Sequence, residues 1–64
     1  MTLYAYIQQK KTEEAKRLLR FTDQSISLIA LHLGFSSQSH FTRVFRQMTG
    51  KTPGEFRVDA AAAR

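Results

Sequence analysis

Residues 34–46 read GFSSQSHFTRVFR. Phe41 and Phe45 stand four apart and call for burial, whereas Gln38, Ser39, Thr42 and Arg43 lie among them and need water or a polar partner. The spacing continues, because Phe41, Val44, Phe45 and Met48 fall at i, i+3, i+4 and i+7. That period predicts an amphipathic helix over 37–48 with Met48 in its core face. Ser36 or Ser37 supplies the N-cap and Gly50 the stop. The preceding run, ISLIALHL, gathers Ile26, Ile29, Ala30 and Leu33 on one face, with Ser25 as cap and Gly34 as terminator. Only Gly34, Phe35 and one or two serines separate the two helices, which is the layout of a helix-turn-helix.

Upstream, Leu3 to Arg20 carries a second helical pattern, with Leu3, Ile7, Glu14/Ala15 and Leu18 in line and Tyr6, Leu19 and Phe21 beside them. Glu13 and Arg17 are four apart in the favourable order for an ion pair. The stripe thins at Lys10-Lys11-Thr12, where Thr12 followed by two glutamates has the form of a fresh helix start. One continuous helix is the favoured reading. Phe21-Thr22-Asp23-Gln24 then reads as a loop. Downstream, Thr52 and Pro53 have the form of a cap and first helical residue, opening a short helix Pro53–Val58 that buries Phe56, with Val58 as a further candidate for burial. The expected organisation is a linker helix in 1–22, a helix-turn-helix with its closing helix in 23–58, and a frayed or disordered alanine-rich tail in 59–64. The expected fold class is all-α, a small helical bundle of homeodomain-like type with no strand.

At 64 residues the chain is one domain at most, and a core of this size supplies only ~3–5 kcal/mol. It has no cysteine, which removes disulfides, thiolate metal sites and cysteine nucleophiles. No apolar run reaches the ~18–20 residues of a membrane span, and the N-terminus has too short an apolar stretch for a signal peptide. A soluble, cytoplasmic, nucleoid-associated protein is expected. Ten Lys and Arg against five Asp and Glu leave a net charge of +5, a balance that suits a polyanionic partner.

The helix 37–48 turns Gln38, Ser39, Thr42, Arg43 and Arg46 away from its apolar face. Gln can pair with adenine N6/N7, Arg with guanine O6/N7, and Ser or Thr with either base edges or the thymine methyl. No carboxylate lies between Ser36 and Thr52, so nothing on that run repels phosphate. Phosphate contacts are expected from helix starts and basic side chains: Ser25, Ser36, Ser37, Lys51, Thr52 and Arg57, each of which also has an ordinary use as a cap or a solvated charge. His32 and His40 are eight apart on different helices and lack metal-ligand spacing. A Ser-His-acid arrangement is not suggested. The residues describe a binding module rather than an enzyme, with no cofactor and no metal.

The run from Ile26 to Arg57, ISLIALHLGFSSQSHFTRVFRQMTGKTPGEFR, closely resembles the second helix-turn-helix of AraC/XylS-family bacterial transcription regulators. Its pattern I-x-x-I-A-x-x-x-G-F-x-x-x-S-x-F-x-R-x-F-[KR]-x-x-x-G-x-[ST]-P-x-x-[FY]-R is filled throughout. The segment YIQQKKTEEAKRLLR (6–20) looks like the family's linker helix, with Lys10 and Thr12 standing where relatives often have apolar residues. The resemblance implies sequence-specific binding of double-stranded promoter or operator DNA, with the recognition helix in the major groove. It implies base contacts from Arg43 first, then Gln38, Ser39 and Thr42, and gives Arg46, with Ser36 and Ser37, to phosphate or groove-edge contacts. It further implies a first helix-turn-helix and a sensor domain in the full-length protein, with two recognition helices about one DNA turn apart. RNA polymerase is a candidate further partner, through the α3 face or Leu3–Arg20. The alternative from another class is a helical protein-interaction or self-association module that does not read DNA.

Overall fold

The computed structural model describes residues 2–63. Four helices follow in order: α1, Leu3–Phe21; α2, Ile26–His32; α3, Gln38–Thr49; and α4, Pro53–Ala62. Strands are absent among the described residues, as the sequence pattern predicts. α1 packs against each of the other three helices, α2 against α3, and α3 against α4. The particle measures 34 × 21 × 16 Å along its principal axes.

α1 is a single helix. Thr2 caps it by accepting from the Ala5 N–H at 3.0 Å. Thr12, which has the form of a new start, is instead buried in mid-helix, where its hydroxyl donates to the Gln8 carbonyl at 2.8 Å. That back-bond satisfies the hydroxyl without interrupting the ladder. The buried face differs from the one apolar periodicity predicts. Gln8, Thr12, Ala15, Leu18 and Leu19 face the bundle, whereas Leu3 is 75% exposed and Ile7 41%. The cause is tertiary: α1 buries the side that meets the other three helices, centred on Gln8, Thr12, Ala15 and Leu19, and its buried positions begin only at Gln8. Glu13 pairs with Lys16 at 3.7 Å and Glu14 with Arg17, so the i, i+3 partners replace the expected Glu13–Arg17 pair.

The core joins Ala15, Leu18 and Leu19 of α1 to Ile29, Ala30, Phe35, Phe41, Val44 and Phe45, with Ile26, Leu33 and Phe56 packed on its edge. Four phenylalanines run through it as an aromatic chain. Ring centroids are 5.2 Å apart for Phe35–Phe41, 5.8 Å for Phe41–Phe45 and 5.5 Å for Phe45–Phe56, within the range of favourable tilted and edge contacts. Met48 departs from the sequence reading at 45% exposure. Phe45 makes the contact with Phe56 on α4, whereas Met48, one turn farther along the same side of α3, is left uncovered.

Both glycine stops behave as read. Gly34 adopts φ 84°. Its N–H donates to Leu31 and the Phe35 N–H to Ala30, at 3.1 and 3.0 Å, the paired closure that ends α2 and turns Phe35 into the core. Gly50, at φ 82°, donates to the Arg46 carbonyl at 2.8 Å. α4 opens with a reciprocal cap: the Glu55 N–H donates to Thr52 Oγ1 at 3.1 Å, and the Thr52 N–H donates to Glu55 Oε1 at 2.9 Å. α4 then runs to Ala62, four residues past the expected end at Val58, and Val58 itself is exposed rather than buried. Alanine's high helix propensity accounts for the extension. Arg64, the last residue of the expected tail, lies outside the described residues.

Candidate nucleic-acid interface

α3 owes its orientation to the three residues it buries, Phe41, Val44 and Phe45. With that side held in the core, the opposite side must face solvent. There Gln38, Ser39, Thr42, Arg43, Arg46 and Gln47 line one open concave surface. All are exposed except Thr42, which is half-buried. The four residues expected to touch bases and Arg46 therefore share one surface. Gln47 was missed by the sequence reading, although it stands four residues beyond Arg43, one turn farther along the same side.

The charge on this surface is of one sign. Arg43 and Arg46 form no ion pair with any described residue. The five acids sit on α1, in the loop after it, and on α4. Two guanidiniums and two carboxamides on a helix flank of this kind can donate to base-edge acceptors and to phosphate oxygens.

The start of α3 is closed by Ser37, whose hydroxyl accepts from the His40 N–H at 3.0 Å. Ser36 Oγ lies 3.4 Å from His40 Nδ1, and the His40 ring meets the edge of Phe35 at 5.3 Å. Ser25 caps α2 by accepting from Leu28 N–H at 3.1 Å. Thr52 is occupied as the α4 cap. Ser25, Ser37 and Thr52 thus have capping work in the unbound chain, whereas Ser36 caps no helix; the three serines are exposed and Thr52 is half-buried. Gln38 is joined to α2 by a hydrogen bond between its Oε1 and the Ser27 hydroxyl.

Two basic candidates have partners inside the chain. Lys51 forms an ion pair with Asp59 one helix later. Arg57 is turned inward: its Nε and one terminal nitrogen donate at 3.3 Å to the carbonyls of Leu19 and Thr22, where α1 ends. A helix C-terminus leaves carbonyls without intrahelical donors, and a part-buried guanidinium answers that need. Arg57 therefore takes part in the α1–α4 contact.

Among the described residues no cluster of three His, Asp or Glu could hold a metal ion, and no helix is long and apolar enough to cross a membrane. The Glu55 carboxyl is held below the usual carboxylate range by the hydrogen bonds it receives from Thr52, backbone first and then side chain. Glu14 is held down by its hydrogen bond from Arg17.

Residues 1–59 match a family described as a helix-turn-helix domain. Among curated proteins, the chain is 45% identical over 56 residues to a probable transcription factor, PqrA, of Proteus vulgaris, covering 88% of this chain and 46% of that protein. It is 40% identical over 57 residues to HTH-type transcriptional regulators of Staphylococcus aureus, covering 89% of this chain and 8% of theirs. The chain thus spans about half of the first relative and under a tenth of the others. No solved structure matches it. The signature of the α2–α3 joint, the matched family and these relatives agree, and the chain belongs to the AraC-type helix-turn-helix family.

Proposed function

We propose that this chain binds duplex DNA sequence-selectively by placing α3 in the major groove, as the second helix-turn-helix unit of a bacterial transcription regulator. The observation that carries this is the continuous acid-free surface of α3, with Arg43 and Arg46 unpaired among the described residues. Arg43, Gln38, Ser39 and Thr42 contact base edges. Arg46 and Lys51 contact phosphate, as do the serines and Thr52 at the helix starts. A paired helix-turn-helix supplies the rest of the grip, and RNA polymerase is the partner through which bound regulator acts. The setting is the cytoplasm, on the nucleoid.

The test is a titration of labelled duplexes selected from a randomised pool, repeated at several salt concentrations. Selection of a defined motif, with affinity falling as salt rises, supports the reading. Recovery of unselected sequence at every salt concentration rejects it.

Self-association is a second reading, favoured by Leu3, Tyr4 and Ile7, which leave apolar surface exposed on the first two turns of α1. Sedimentation with and without duplex DNA separates the two. A monomer that binds DNA supports the first, and a dimer indifferent to DNA supports the second.

A further inference from the structure

Gln38 opens the α3 surface, yet the hydrogen bond that restrains its amide comes from another helix. Ser27, 11 residues earlier on α2, bonds through its hydroxyl to Gln38 Oε1. The Ser27 hydroxyl is not needed at the start of α2, because Ser25 already caps the Leu28 N–H. Ser27 and Gln38 are both exposed, so neither contributes to the core, and the bond between them has no evident packing purpose.

A hydroxyl that donates to a carboxamide oxygen also settles which end of the amide is outward. With Oε1 held toward α2, the Nε2 hydrogens remain available, and Nε2 can only donate. We propose that Ser27 is a positioning residue for base reading: it fixes the Gln38 amide so that Nε2 is offered to acceptors on a base edge, namely purine N7, guanine O6 or thymine O4. The proposal rests on the reading of α3 as the base-contacting helix and deepens it by naming a residue outside α3 that sets specificity.

The physical gain is pre-organisation. A free glutamine must be ordered when DNA binds, whereas one already tethered loses less freedom. Only duplexes carrying the base that Gln38 prefers benefit from the tether. Loss of Ser27 therefore lowers discrimination at one base position by roughly two- to tenfold and leaves phosphate binding as it was.

The experiment is a competitive selection on randomised duplexes with the wild-type chain, Ser27→Ala, Ser27→Thr, Gln38→Ala and the Ser27→Ala/Gln38→Ala pair. Ser27→Ala and Gln38→Ala are expected to weaken preference at the same base position. Ser27→Thr, which keeps the hydroxyl, restores it, and the double variant matches Gln38→Ala. The salt dependence of binding to unselected duplex stays at the wild-type slope throughout. Full preference in Ser27→Ala at the position Gln38→Ala loses overturns the proposal. So does a loss spread over all positions, accompanied by a lower melting temperature and not restored by Ser27→Thr. If neither Gln38→Ala nor Arg43→Ala changes any preference, the base-reading role of α3 fails, which is a different result from failure of the tether alone.

Discussion

Arg57 on α4 donates to the carbonyl of Leu19, 38 residues earlier at the end of α1, at 3.3 Å. Its second bond, to the Thr22 carbonyl, crosses the same junction. These bonds satisfy acceptors that the end of a helix leaves open. Arg57→Ala is expected to destabilise the fold by about 1–2 kcal/mol, the scale of part-exposed hydrogen bonds from a charged group. Base preference and salt slope should be unchanged once binding is measured well below the melting temperature. A lowered salt slope with unaltered stability would return Arg57 to the DNA backbone.

Arg43 sits in the middle of the α3 surface without an ion-pair partner among the described residues. Arg43→Ala should relax specificity at one base position, costing about 1–3 kcal/mol of discrimination. A selection on randomised duplexes reads this directly. Unfolding of the variant with preference intact would show that the α3 surface has been assigned the wrong role.

Lys51 and Asp59 form an exposed ion pair at the entrance to α4. Such pairs add little to stability, about 0–1 kcal/mol, but this one engages a cation that DNA phosphate can also use. Asp59→Asn is expected to strengthen binding to all duplexes alike with little change in melting temperature. Lys51→Ala should weaken binding alike and reduce the salt slope by about one. Fluorescence titrations at three salt concentrations measure both.

Gly34 holds φ 84° between α2 and α3, and a Cβ there would meet only Lys11 Nζ, at 3.8 Å. The cost of Gly34→Ala is therefore backbone strain rather than collision, about 1–2 kcal/mol. Chemical denaturation should show that loss. Because the same turn aims α3, the variant should also bind its selected duplex less tightly than its stability alone accounts for.

The Glu55 carboxyl has a lowered pKa because it receives hydrogen bonds from Thr52. The unfolded chain holds this carboxyl at its ordinary value. Its contribution to stability is therefore complete above the ordinary carboxylate pKa and is lost as pH falls through the lowered folded value. Glu55→Gln should lower the melting temperature at neutral pH and leave the acid end of the profile close to wild type, so that the acid limb flattens. An unchanged acid limb would argue against the reciprocal cap.

Much of the architecture was legible in the sequence because its signals are local. Ser25, Ser37 and Thr52 each cap an N–H three residues away, and Gly34 and Gly50 each end a helix through their own φ. The side of α3 was legible as well, since Phe41, Val44 and Phe45 repeat at helical spacing within one turn. Extension of that period would have brought in Gln47. The buried side of α1 was not legible from apolar spacing, because Gln8 and Thr12 lie on it and Leu3 and Ile7 do not. Met48 departs as well: its period places it on the core side of α3, yet it is exposed, because period gives the side of a helix and not how far its neighbours cover it.

The sequence by itself determined the four helices, the caps of α2, α3 and α4, the glycine stops of α2 and α3, the helix-turn-helix joint and the polar side of α3. Each follows from chemistry confined to about one helical turn. Tertiary structure alone decided which side of α1 is buried, that Arg57 serves the end of α1, and that Ser27 holds Gln38. The bonds involved join residues 38, 35 and 11 positions apart. No periodicity spans those separations, because they arise only when separate helices pack and set one another's rotation.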